Sequence, residues 1–177
     1  MKRMLKGTKT KPAVVFAALL VALALLLGAG CGNAGPSAPA PAAKPARIVS
    51  LTPSTTEILH GVGAFGRVVA VSDYCTYPPE VNSLPRVGGW NNPNLEQIAS
   101  LRPDLIVFSD AQAQFVKDKV EAAGIRTLSV PSQTLEDAYK AIEMVGRATG
   151  DEEASTKLLA QTRAGVDAVR QATERLP

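Results

Sequence analysis

The sequence predicts an α/β fold: a parallel sheet with helices on both faces, followed by one long helix. Three observations predict it. From residue 47 onward, short apolar runs alternate with segments of helical period. The runs are apolar throughout, as strands buried on both faces are, where a half-exposed strand would alternate apolar with polar. Residues 151–176 then hold a single helical pattern for 26 residues without a breaker.

Residues 47–51 (RIVSL) read as the first strand. Thr52 and Pro53 follow as helix N-cap and first helical residue, where proline's missing N–H does no harm. Ile58, Leu59 and Val62 give this helix its apolar face, and Gly61 and Gly63 end it. Residues 67–72 (RVVAVS) form the second strand, and residues 73–93 a long loop crowded with Pro, Gly, Asn and aromatics. Asn94 and Gln97 have the spacing of a capping box, with Leu95, Ile98 and Leu101 turned to the core. Residues 104–108 (DLIVF) are the third strand, 112–123 a helix stopped by Gly124, and 126–130 the fourth strand. A helix over 135–149 ends at Gly150. The last helix opens with Asp151, Glu152 and Glu153, where negative charge complements the helix dipole. At 1.5 Å per residue it would span about 39 Å, with a narrow apolar stripe of Leu158, Leu159, Val166 and Val169. It outruns the small domain before it and should pack against something further.

Gly61, Gly63 and Gly66 satisfy G-x-G-x-x-G, with Glu80 about twenty residues on. A dinucleotide site needs these glycines to follow a strand and open a helix. Here they close a helix and lead into a strand, so they read as a helix end and turn.

The N-terminus has the form of an export signal over residues 1–30. Five cations precede an unbroken apolar run of fifteen residues, 13–27. Three small residues then lead to Cys31. This resembles a bacterial lipobox, in which the cysteine is acylated, although Gly28 stands where Leu is usual. Residues 31–46 read as the acylated cysteine and an Ala/Pro-rich tether, placing the protein outside a membrane and held to it by lipid. An uncleaved anchor or a plain signal peptide is the alternative. With the five N-terminal cations set aside, 14 basic and 16 acidic residues remain. A slightly acidic chain gives no support for a nucleic-acid partner.

Beyond Cys31 the sole cysteine is Cys75, which excludes a disulfide framework and reads as a small buried residue. His60, the only histidine, is expected to be partly buried in its helix. No cluster has metal-ligand spacing and no nucleophile–base–acid set can be assembled, so neither cofactor nor catalysis is expected. Tyr74, Tyr77 and Trp90 are three of the seven aromatics in residues 31–177 and fall within seventeen positions. Loops at the C-terminal ends of parallel strands are where such folds bind ligands. Large flat side chains there suit a macrocycle. Tyr77, beside Pro78 and Pro79, reads instead as part of a turn.

The blocks RIVSLTPSTTEIL, RVVAVSDYCTYPPE and LPRVGGWNNPNLEQIASLRPDLIVFS occur in this order. Together they resemble the N-terminal lobe of the iron-siderophore/cobalamin periplasmic binding proteins, the substrate receptors of ABC importers. The resemblance implies a Rossmann-like lobe over residues 47–150 and an interlobe spine helix over 151–177. Cobalamin-binding members are the most similar, through the Asp-Tyr-x-x-Tyr-Pro-Pro segment from Asp73 and the Trp shortly before Asn-Leu-Glu.

The resemblance implies that Tyr74 and Trp90 contact the ligand. It further implies that Glu96 pairs with arginines on the importer's membrane subunits. Ser109 stands where the most similar members offer an aromatic wall, which keeps an iron-siderophore or haem open beside cobalamin. The second lobe of the family is missing from the sequence, so a fragment, a truncated product or a one-lobe remnant without transport activity is expected. From another class, an exported α/β enzyme using the same loops is the competing reading.

Overall fold

A computed structural model describes residues 43–174; Cys31, the signal segment and most of the tether lie outside them. Four strands form one sheet: β1 (Ile48–Ser50), β2 (Val68–Val71), β3 (Leu105–Ser109) and β4 (Thr127–Val130). All pairs are parallel, in the order β2-β1-β3-β4. The helices are α1 (Pro53–Gly61), α2 (Leu95–Ser100), α3 (Ala113–Ala122), α4 (Leu135–Thr149) and α5 (Glu152–Thr173).

The strand period of two divides the core between the two sheet faces. Ile48, Leu105 and Val107 pack with Leu59 and Val62 of the α1 end and Ala141 and Val145 of α4. Val49, Ile106 and Phe108 point the other way, onto Ile98 of α2 and Val116 and Val120 of α3. Every one of these side chains is buried, each contributing roughly 1.5–3 kcal/mol if of Val, Leu, Ile or Phe size. The expected two-faced parallel sheet is therefore present.

Local sequence sets the helix ends. Thr52 is extended (φ −140°, ψ 151°), and its hydroxyl accepts from the Thr55 N–H. Beneath this cap a buried hydroxyl cluster joins Ser50, Thr52, Thr55 and Thr56. Cys75 is fully buried against that cluster, 3.2 Å from the Thr56 hydroxyl and 3.3 Å from that of Ser72. Gly63, just past α1, has φ +77°, so the glycine triplet is a helix end as its sequence context requires. His60 departs from expectation. Leu59 takes the buried slot, and His60 is exposed with its ring edge-on to Phe65 and Tyr77.

The capping box of α2 is only half formed. Asn94 Oδ1 accepts from the Gln97 N–H at 3.0 Å, but the Asn94 N–H already donates to the Val87 carbonyl at 2.8 Å. Gln97 therefore has no donor to receive in return. The complete box lies on α4, where Thr134 and Asp137 exchange bonds in both directions. Gly150 closes α4 in the left-handed region (φ 72°).

The last helix begins at Glu152, with Asp151 as a cap residue whose side chain makes no cap bond. Its carboxylate is engaged elsewhere: it takes Arg67 on one oxygen and Lys44 at 3.0 Å on the other. Arg67 also donates to the carbonyls of Pro45 and Thr149. Where α5 crosses α4, Gly146 lies directly on Ser155, and a Cβ there would overlap it. Leu158 packs over Gly61 of α1. Further along, Arg163 stacks 4.4 Å above the Tyr139 ring and pairs with Glu136 at 3.7 Å. Of the apolar stripe, Leu158, Leu159 and Val166 are half-buried, and Val169 is 63% exposed.

Candidate ligand-binding site

In the order β2-β1-β3-β4, the chain leaves β1 toward one edge of the sheet and β3 toward the other. The C-terminal ends of β1 and β3 therefore flank a crevice, the general ligand position of open parallel sheets. Residues 73–93 rise from the end of β2 beside that crevice and carry the exposed aromatics.

The loop is built as a framework. Its return segment lies along β2: Val71 N–H donates to the Pro85 carbonyl and Val87 N–H to the Val71 carbonyl. Arg86 reaches under the first turn, donating to the carbonyls of Ser72 at 3.0 Å and Cys75 at 2.6 Å. This charge-assisted pair fixes the turn that bears Tyr74. Across the loop, Asp73 N–H donates to the Gly88 carbonyl at 3.0 Å. A short 3-10 helix, Pro79–Ser83, fills the segment expected to be irregular.

Gly88 has φ +95°, a conformation that side chains rarely adopt. Gly89 is crowded: a Cβ would stand 3.3 Å from the Tyr74 hydroxyl and 3.1 Å from the Asn92 side chain, and those side chains would have to give by a few tenths of an ångström. Tyr74 therefore lies against the backbone that carries Trp90. The structure brings these two residues together on one open rim, Tyr74 60% exposed and Trp90 37%.

The Trp90 carbonyl accepts from Gln112 Nε2 at 2.7 Å. Gln112 comes from the 3-10 turn Asp110–Gln112 that leads from β3 into α3. That turn delays α3 by one residue relative to its sequence pattern.

The other named positions lie apart. Tyr77 turns its edge to His60, 5.4 Å between ring centroids, and belongs to the α1 side of the loop. Ser109, the last residue of β3, is 2% exposed and does not present itself on the crevice wall. Glu96 is exposed in the first turn of α2, with Leu95 and Ile98 on the inward side. Cys31 lies outside the described residues. No group of three or more His, Cys, Asp or Glu could hold a metal ion among the described residues. None of the described helices is long and apolar enough to cross a membrane.

Residues 48–177 match the family described as periplasmic binding protein. The chain belongs to the periplasmic binding protein family. Among relatives of this periplasmic binding protein is the uncharacterized ABC transporter substrate-binding lipoprotein YvrC of Bacillus subtilis (strain 168). It is 34% identical over 84% of this chain and 55% of its own length. The crystal structure of the periplasmic vitamin B12 binding protein BtuF of Vibrio cholerae superposes with a TM-score of 0.69. Its sequence identity is 29%, over 75% of this chain and 52% of that one. The periplasmic heme-binding protein RhuT from Roseiflexus sp. RS-1, in apo form, gives 0.68 at 32% identity, over 73% and 51%. The chain spans about half the length of each of these proteins.

Three residues of the site were not singled out by the sequence pattern. Arg86 and Gly89 fall inside a stretch whose composition reads only as loop, and Gln112 inside a helical period. The one available signal was a polar residue opening a helix directly behind a buried strand.

Proposed function

We propose that this chain supplies one wall of the ligand site in an extracytoplasmic substrate-binding component of an ABC importer, with cobalamin as the ligand. The observation that carries the reading is the Tyr74–Gly89–Trp90 rim at the C-terminal edge of the sheet. Two large aromatic groups on a hydrogen-bonded framework offer apolar area for the flat face of a corrin at little ordering cost. Similarity to vitamin B12 binding proteins supports it. A second reading, haem or an iron-siderophore, is supported by the similarity to a heme-binding protein at 32% identity. On either reading the chain binds and delivers without chemistry of its own, which sets it against the exported-enzyme alternative. Acylation of Cys31 would hold it to the membrane, and Glu96 would meet the importer.

Trp90 is the only tryptophan in the chain, so its emission reports on the rim alone. Titration with cyanocobalamin, and separately with haemin, should quench it saturably after correction for ligand absorbance. The stronger response identifies the ligand class. Absence of saturable quenching by both, with no rise in thermal midpoint, would sink the proposal.

A further inference from the structure

We propose that Gln112 is a positioning residue for the ligand rim, holding the Trp90 backbone in place through its side-chain amide; this rests on Trp90 being a ligand contact. Gln112 is 0% exposed, although it stands at the start of a helix where a glutamine would ordinarily reach solvent. Its Nε2 spends a donor on the Trp90 carbonyl, 22 residues away in sequence. Its Oε1 is buried and has no partner within the described residues. A buried amide with an unmet acceptor is a poor choice for stability, because an apolar side chain of similar volume would leave nothing unsatisfied. Local rules broken in this way mark sites kept for something other than stability.

Topology says what is kept. The loop of residues 73–93 belongs to β2 and Gln112 to the turn after β3, and the two strands lie on opposite sides of β1. The bond therefore joins the two rims that face each other across the crevice. The return bond of Asn94 to Val87 fixes the base of the segment, whereas Gln112 holds its outer part. Residues 88 and 89 are glycines and contribute no side chains that would pack it down. With the amide removed, Trp90 would keep its place in sequence but lose its fixed distance from the β3 end of the crevice. Affinity would fall through the ordering cost now charged to the ligand.

The test uses the full chain with Gln112→Met, which matches the length and has no donor, and Gln112→Glu, which keeps the shape and loses the Nε2 donor. Trp90 acrylamide quenching and fluorescence anisotropy are read without ligand, with thermal unfolding in parallel. Quenching should rise and anisotropy fall in both variants, while the Gln112→Met midpoint holds or increases. Cyanocobalamin affinity should then drop roughly 3- to 10-fold, the size of one lost hydrogen bond. Unchanged Trp90 quenching and anisotropy in whichever variant folds would overturn the assignment. So would intact affinity in Gln112→Met where Trp90→Ala weakens binding. If Gln112→Met loosens Trp90 yet neither it nor Trp90→Ala alters cyanocobalamin binding, the brace stands and the cobalamin reading fails.

Discussion

The carboxylate of Asp151 joins Arg67, which leads into β2, to the N-cap of α5, and Lys44 closes on its second oxygen. Residues ahead of β1, ahead of β2 and at the start of the long helix thus share one partly buried carboxylate. Burial pushes its pKa up, but the hydrogen bond from Lys44 and the charge and hydrogen bond of Arg67 help to outweigh that and hold it below its ordinary value.

A group whose folded pKa is depressed stabilises above its unfolded pKa, and that contribution fades as pH falls through the folded value. Asp151→Asn should therefore lower stability at pH 7 by about 1–2 kcal/mol, the size of one or two charge-assisted bonds. The gap to the parent protein should begin to narrow below about pH 4, the ordinary carboxylate range, and close as pH falls through the lower folded value. Chemical unfolding at several pH values measures it; a gap independent of pH would contradict the assigned role.

At the α4–α5 crossing, Gly146→Ala should be destabilising in spite of alanine's better helix propensity. The added methyl meets Ser155 head-on, and overpacking of this kind costs about 1–3 kcal/mol. Pairing it with Ser155→Gly should restore most of the loss. Denaturant midpoints of the four proteins decide the matter, and additivity of the two changes would rule out contact.

For the rim, Tyr74→Ala and Trp90→Ala should each weaken cobalamin binding by about 1–3 kcal/mol, as for well-packed aromatic anchors. Isothermal titration of the chain with cyanocobalamin provides the measurement. Equal affinity in both variants would assign the two aromatics to loop packing alone.

Glu96→Lys should leave ligand affinity intact and abolish docking to the importer's membrane subunits, with Glu96→Gln intermediate. Helix-dipole loss alone would show as a stability change of about 0.3–1 kcal/mol with docking unaffected. Pull-down on importer-containing liposomes separates the two outcomes.

Cys31→Ser should shift the exported chain from the detergent phase to the aqueous phase on Triton X-114 partition. Mass spectrometry of the mature N-terminus should find a diacylglycerol-bearing cysteine at residue 31. A mature terminus elsewhere would remove the anchor from the account.

The sheet and its helices were legible because burial on two faces leaves a continuous apolar signature, and because Thr52, Asn94 and Gly150 punctuate the helices with local chemistry. The exposed face of Glu96 followed from the helical period of Leu95 and Ile98. The rim's framework was not legible. Arg86 and Gln112 act over 11 to 22 residues of sequence, through bonds to main-chain carbonyls that no periodicity encodes. His60 was misplaced for a related reason. The helix pattern fixes which residues are inside, but not that an edge-on contact with Tyr77 can keep a histidine at the surface. Asn94 lost its reciprocal cap to a loop bond that only the tertiary fold creates.

The clamp around Asp151 has a mechanical consequence. It holds Lys44 at the edge of the sheet where the parallel strands begin, and the aromatic rim stands at the edge where they end. The chain entering the sheet is thus fastened at the edge opposite Tyr74 and Trp90. A pull on Lys44 is borne by the carboxylate of Asp151, which Arg67 braces from the other side. Force arriving there strains the base of the sheet and leaves the aromatic rim undisturbed.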